Sequence, residues 1–469
     1  MTEVIENVLA QRYASEAMKA IWSARGKIIA ERRLWLAVLK AQRAAGRDIS
    51  DDDIIAYEKN VEVVDLASIA AREAILRHDV KARIEEYNAL AGCQHIHEAM
   101  TSRDLTDNVE QVQIHRSLEL VRNRAVAILR RLRDRTNEYE AMVICGRTHN
   151  VPAQATTLGK RFAMWMEEFL CAFEHLESII ATYPLRGMKG PVGTQQDMQT
   201  LLGTDNALQL EVVVREHLGF GRTLVAVGQV YPRSLDFMVV AALAQLASAP
   251  ANFASTMRLM AGQSQVTEGF KEGQTGSSAM PHKMNMRTCE RIGGFLNILS
   301  GYVTMASGLM GHQWYEGDVS CSVPRRILLS DAFFALDGLF EATMTVLDEM
   351  AVFPAIIERE LATELPFLST TAILMAAIDK GMGREDAHAL IKRYSTAALT
   401  RIRQGEDASV FSRLLGMDSS FPLSAEEIDA LIVPNTGLAE DQADTVMHFA
   451  DLVISRHGAA AGYNPAPIL

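Results

Sequence analysis

The chain has 469 residues, beyond the size at which a single core grows efficiently, so two or three domains are expected. Its formal charge of −12, spread over interspersed acids and bases, argues against a general affinity for nucleic acid or anionic membranes, although a local basic pocket can still hold an anion. Five widely spaced cysteines, Cys93, Cys145, Cys171, Cys289 and Cys321, form no C-x-x-C pair and imply neither a disulfide framework nor a zinc site.

Hydrophobic residues make up 48% of the chain, aromatics only 6%, and 22 methionines are present, a balance that suits packed helices better than sheets. The N-terminus lacks the basic-then-apolar order of a leader, and no apolar run reaches membrane-spanning length, so a soluble, cytoplasmic protein is expected.

Residues 1–105 read as a small helical domain of short helices broken by polar turns such as Gly46-Arg47-Asp48. Within it, Thr101, Ser102 and Asp104 have the character of a helix start. Residues 106–355 form a central region of long helices. Leu118, Val121, Ala125, Ile128 and Leu132 recur at alternating steps of three and four, the seam of an amphipathic helix. The same alternation runs from Leu158 to Ile179 and from Ile292 to Leu309, and two further helices are predicted over residues 233–260 and 325–350. Such near-heptad seams pack at shallow angles in a bundle, and their apolar surplus points to association of several copies, most simply a homotetramer. Residues 356–469 read as a third, small helical domain ending in a non-helical, mobile tail. The fold class is therefore all-α with three domains.

Three polar clusters interrupt the bundle pattern at helix ends: Arg147-Thr148-His149-Asn150, the stretch from Gly228 to Arg233, and a loop over residues 262–285. A histidine in such a cluster is suited to proton exchange near neutral pH, though at a helix end it is more often a cap or a buried hydrogen-bonded group. His95 and His97 have the look of a metal pair, but on a helix they would not share a face, and no metal is implied. The loop has glycines at positions 262, 269 and 273 and then reads Gly-Ser-Ser-Ala-Met-Pro-His-Lys-Met-Asn over residues 276–285. A generic polar, glycine-rich stretch is a surface linker. Here Gly276, Ser277, Met280, Lys283 and Asn285 occupy every fixed position of a known signature.

That signature resembles the fumarase/aspartase superfamily, and the version Ser-Ser-Ala-Met-Pro-His-Lys is most similar to its adenylosuccinate lyase family. Further segments resemble that family's substrate-contacting regions in the same order: Arg12-Tyr13, Arg77-His78-Asp79-Val80, Thr101-Ser102, Thr148-His149, Gly228-Gln229, Glu290-Arg291 and Ser322 through Arg326. Beyond residue 350 the likeness is less diagnostic. The resemblance implies an all-helical, three-domain subunit in a homotetramer whose active sites each draw on three subunits. It implies cofactor-free elimination of fumarate from adenylosuccinate, giving AMP, and from SAICAR, giving AICAR.

By the same resemblance Ser277 is the base and His149 the acid. Substrate would be held by Arg12, Tyr13, Arg77, His78, Asp79, Thr101, Ser102, Gln229, Lys283, Asn285, Arg291, Ser322 and Arg326. Serine is a poor base at its ordinary pKa and needs nearby positive charge, which Lys283 would supply while also stabilising the dianion. The flanking glycines fit a lid that closes over substrate. Two positions depart from the family pattern. Met284-Asn285-Met286 stands where relatives have arginine-asparagine-proline, and Gly317 follows Glu316 where relatives have an arginine. The second leaves an anionic contact in doubt, with Arg325 or Arg287 as its replacement. Two alternatives remain: another superfamily member, such as a 3-carboxy-cis,cis-muconate cycloisomerase, and a noncatalytic structural tetramer.

Overall fold

In the computed structural model, which describes residues 6–270, 279–280 and 282–466, twenty helices and four short strands carry the regular structure. Six helices come first: α1 (Val8–Arg12), α2 (Glu16–Trp22), α3 (Ala24–Ala44), α4 (Asp51–Lys59), α5 (Leu66–Leu76) and α6 (Asp79–Ala91). Each starts because a polar side chain ahead of it, Asn7, Ser15, Ser23, Ser50, Asp65 or His78, accepts a backbone N–H of the first turn.

Then come α7 (Ser102–Glu138), the strands β1 (Val143–Thr148) and β2 (Val151–Thr157), α8 (Leu158–Thr182), α9 (Gln196–Leu202) and α10 (Thr204–His217). The central region continues with α11 (Ser234–Gly262), β3 (Val266–Thr267), α12 (Arg287–Ser307), α13 (Ser322–Glu349) and β4 (Ala351–Val352). The five long helices read from periodicity are α7, α8, α11, α12 and α13. The remaining helices are α14 (Pro354–Leu368), α15 (Thr370–Asp379), α16 (Arg384–Ile402), α17 (Val410–Gly416), α18 (Ala425–Leu431), α19 (Ala439–Arg456) and α20 (Gly458–Ala461). The chain is all-α with two minimal two-stranded ladders, β1 with β2 and β3 with β4.

The largest core lies between the long helices. Leu118 of α7, Phe162 and Phe169 of α8, Leu243 of α11, Leu299 of α12 and Phe340 of α13 are fully shielded within it. Each such side chain contributes about 1.5–3 kcal/mol relative to exposure. The C-terminal α19 returns to this core through Val446, Met447 and Ala450. A second core joins Leu34, Trp35 and Val38 of α3 to Tyr57, Tyr87 and Leu210, and a third lies among α15 to α18 around Phe411.

Three expectations change. α11 and the segment Pro354–Asp379 are both long and apolar enough to cross a membrane. In α11, however, 61% of the most apolar window is buried, because α8, α12 and α13 pack against it. The polar cluster around His149 is the tip of a β-hairpin, not a helix end. His149 (φ 53°) and Asn150 (φ 63°) are both left-handed, as the two central residues of a tight hairpin turn must be. The tail is non-helical but anchored. Glu341, 1% exposed on α13, accepts from the Tyr463 hydroxyl at 2.8 Å and the Ala466 N–H at 2.6 Å, and the Arg124 guanidinium covers the Tyr463 ring.

The first turns of α7 bury charge. Asp104 Oδ1 accepts from Arg186 at 2.6 Å and from the backbone of Lys189 and Gly190, while its Oδ2 accepts from the Thr101 N–H at 2.8 Å. One turn on, Asp107 pairs with Arg233 and Arg103, each at 3.1 Å. Glu110 meets Arg325 at 2.9 Å, and Arg325 also donates to Asp236 at 2.7 Å. Removing one partner of a buried pair typically costs about 3–5 kcal/mol, because the other charge is left without water or counterion. Asp104→Asn should therefore lower unfolding free energy by about that amount in urea titration, and Asp104→Asn combined with Arg186→Met by clearly less than the sum of the single changes. Additive losses would contradict the pairing.

Nearby, Trp35 Nε1–H donates to His97 Nδ1 at 3.0 Å, so that nitrogen is unprotonated. Burial pushes His97 down from 6.5 to about 4, opposed by Asp104 and assisted by His78 and Lys81. Its folded pKa lies below the unfolded value, so this stability is complete above the unfolded pKa and is lost as pH falls through the folded one. Urea midpoints should fall between about pH 6.5 and about pH 4, less steeply in His97→Asn, whose asparagine tolerates the positive φ of 69°. Equal slopes would contradict this role.

Candidate active site

Three helix starts meet at one cavity of about 640 Å³. Arg77, in the left-handed region at φ 51°, ends α5, and His78 caps α6 by accepting the Lys81 N–H at 3.3 Å. Ser102 is the first residue of α7 and Ser322 the first of α13. Arg77, His78, Asp79, Ser102, Ser322 and Arg326 all line the cavity. The first N–H groups of a helix are unpaired and carry partial positive charge, so this junction is suited to an anion.

The wall also contains residues that sequence reading did not select. Arg83 pairs with Glu31 at 2.6 Å and Asp79 at 3.2 Å. Burial raises the Glu31 carboxyl, while Arg83 opposes that rise. Arg103 and Arg325 also line the cavity but are held by Asp107, Glu110 and Asp236. Arg325 is 3% exposed and therefore has no free face for the anion thought to be orphaned at Gly317. Arg287 begins α12 and is not among the residues lining this cavity. Lys27 of α3 lines it as well. No motif marks Lys27, since it lies some fifty positions before Arg77 in the chain and only packing brings α3 beside α6.

The other expected residues form separate groups on a single chain. Thr101 caps α7 just outside the cavity lining. Tyr13 follows Arg12 at the end of α1 and packs edge-on against Phe295 at 5.0 Å between ring centres, one turn beyond Arg291 on α12. Gln229 donates its backbone N–H to the Glu316 carbonyl at 2.7 Å. This approach needs glycine at 228, where a Cβ would overlap that carbonyl. A side chain at Gly317 would in turn press within 3.2 Å of Gln229 Cβ. His149 is exposed at the hairpin tip, and Arg147 ties the hairpin to Glu360 of α14. His95 faces Asp53 at 3.4 Å while His97 faces Trp35, so the two do not converge.

Of the signature loop, Gly276 and Ser277 lie outside the described residues. Lys283 is exposed and Asn285 half-buried, leading into α12. The stem is firmly held. Glu268, 7% exposed, accepts from Thr288 N–H and Cys289 N–H, each at 2.9 Å, and so caps α12 with a charge that its dipole favours.

Residues 10–300 match the family model described as lyase, and residues 366–446 match the one described as adenylosuccinate lyase C-terminus. The second match falls in the stretch where sequence reading found little that was diagnostic. Adenylosuccinate lyase of Saccharomyces cerevisiae is 34% identical over 447 residues, covering 93% of this chain and 92% of that protein. The enzyme of Schistosoma mansoni is 31% identical, with 88% of both chains covered. Among solved structures, 3-carboxy-cis,cis-muconate lactonizing enzyme from Pseudomonas putida superposes with a TM-score of 0.82 at 18% identity, covering 96% of this chain and all of that one. A fumarate lyase from Mesorhizobium sp. BNC1 gives 0.79 at 19%, with 95% of this chain and all of that one covered. Likeness at such identities speaks to the fold, whereas the sequence matches separate the families. With a lyase match over more than half its length and 34% identity across nearly all of it, the chain belongs to the adenylosuccinate lyase family.

Proposed function

We propose that this protein is an adenylosuccinate lyase that eliminates fumarate from adenylosuccinate, giving AMP, and from SAICAR, giving AICAR. The observation that carries this reading is the gathering of Arg77, His78, Asp79, Ser102, Ser322 and Arg326, the segments that resemble the family, around one anion-suited cavity. The sequence likeness to lyases of that name supports it. Likeness to the carboxymuconate enzyme is one of fold alone and does not favour the cycloisomerase alternative.

In this reading Ser277 removes a proton from the carbon next to a substrate carboxylate. The electron pair moves into that carboxylate as an aci-carboxylate dianion, which Lys283 and Asn285 stabilise. The carbon–nitrogen bond then breaks, and His149 donates a proton to the departing nitrogen. An acid so placed is worth about a hundred- to ten-thousandfold in rate. His149 suits the role because its hairpin tip is exposed and projects from a short ladder braced by Arg147 and Glu360. Arg12, Tyr13, Arg291, Thr101 and Gln229 would complete substrate binding. The substrate carboxylate serves as electron sink, so the reaction calls for no cofactor.

The separation of His149, Arg12 and Gln229 from the Arg77–Ser322 cavity on one chain favours a site assembled from several copies, and a cytoplasmic homotetramer is the proposed form. The exposed Met164 of α8, Leu259 of α11 and Met305 of α12 are apolar surface that such packing would cover.

Conversion of adenylosuccinate, followed by its absorbance change, should proceed in the wild type and fall at least a hundredfold in Ser277→Ala and His149→Ala. Near-normal rates in both variants would overturn the residue assignments, and no turnover in the wild type would overturn the activity. Light scattering should give a particle about four times the 51.7 kDa chain mass. A monomer that remained fully active would refute the shared site.

A further inference from the structure

The cations around the cavity fall into two sets. Arg83, Arg103 and Arg325 are each within 3.2 Å of an acid and are 14% exposed or less, so their charge is already neutralised. Lys27, Arg77 and Arg326 line the same cavity and have no ion pair or side-chain hydrogen bond among the described residues. Of the three acids on the wall, Asp79 is engaged by Arg83 and Glu110 by Arg325, leaving only the exposed Glu73 without an ion-pair partner among the described residues.

Lys27 stands out within the free set. It is the fourth residue of α3, whose start is fixed by Ser23 accepting the Gly26 N–H at 2.9 Å. The nearest buried acid on its own helix, Glu31, lies one turn on and is taken by Arg83 at 2.6 Å. The residue is only half-exposed, and its charge lies within electrostatic reach of Glu31, Asp79 and Glu110, on three different helices. A lysine on open surface keeps its full hydration, whereas one on a cavity wall shared with two other free cations gains most from a multivalent anion.

We infer that Lys27 is a further substrate-binding residue, and that with Arg77 and Arg326 it holds the phosphate monoester of the nucleotide substrate. This rests on the lyase reading given above. A phosphate monoester carries between about one and a half and two negative charges and three acceptor oxygens. Three free cations, the Ser102 and Ser322 hydroxyls and three helix starts match that better than the single charge and two oxygens of a carboxylate. Lys27 also supplies positive charge that Arg325, fully engaged, cannot.

The test compares full-length wild type, Lys27→Met and Lys27→Arg on adenylosuccinate and on its dephosphorylated nucleoside. Loss of one charge-assisted contact should raise KM for adenylosuccinate about tenfold to a hundredfold in Lys27→Met, with kcat within about threefold. Lys27→Arg should recover most of that loss, and the KM of the nucleoside should not change. An unchanged KM for adenylosuccinate, or an equal loss on the nucleoside, would overturn the assignment. Calorimetry with inorganic phosphate reads the same contact without turnover. Binding to the wild type that weakens about tenfold in Lys27→Met supports it, and binding that is absent from the wild type or unchanged in the variant overturns it. Should the wild type bind phosphate through Lys27 yet fail to cleave adenylosuccinate, the anion site stands and the lyase reading falls.

Discussion

A row of acids on the first turns of α7 must be neutralised before the bundle can close. Asp104, Asp107 and Glu110 follow one another at steps of three along one helix face, and the first two are 1% exposed or less. Their partners come from three distant places: Arg186 from the segment after α8, Arg233 from the start of α11 and Arg325 from the first turn of α13. Buried charges gain little net stability over apolar groups of the same size, so the row reads more readily as a specification of register than as a source of stability. Any slip of α13 along α7 would part Arg325 from Glu110.

That register positions the site. With Arg325 locked to Glu110 and Asp236, the start of α13 is held beside the start of α7, and Ser322 and Arg326 face the same cavity as Ser102. On the other side Arg83 holds Asp79 and Glu31, which ties α6 to α3 and sets Arg77 and His78 at the rim. The cavity thus has an inner layer of paired charge and an outer layer of free cations. The inner layer excludes water and holds geometry; the outer layer retains its charge for a ligand.

The hairpin and the loop stem are built by different means. The left-handed pair His149-Asn150 places an imidazole at the end of a two-stranded ladder whose register shifts opposite Gly146 and Arg147, and Arg147 ties that ladder to Glu360. At the other element, Gly269 (φ 98°) lies so near the Glu349 carbonyl that a Cβ there would clash, and the residue before it, Glu268, caps α12. The hairpin tip and the described stem of the loop thus sit on rigid supports. The separation of His149 from the Arg77–Ser322 cavity on one chain is the physical reason for looking to a second copy.

How much was legible depended on whether the signal was local. The five long helices were readable because burial repeats every three or four residues along one face, and the helix start at Ser102 because capping chemistry sits beside the turn it serves; the start of α13 at Ser322, three residues before the expected Arg325, has no side-chain cap to mark it. The loop signature and the order of the polar segments carried the family, since those residues occupy fixed places in the chain. The hairpin escaped because helix ends and tight turns use the same polar residues, and left-handed φ values leave little mark in composition. α11 is long and apolar enough by sequence to span a membrane, and only its surroundings on three sides decide that it is a core helix. Above all, the sequence by itself supplied the inventory of arginines and lysines, whereas only the tertiary structure decided which are neutralised and which are free. Charge pairing here acts between groups up to about two hundred positions apart, and the cost of burying an ion depends on what surrounds it in space.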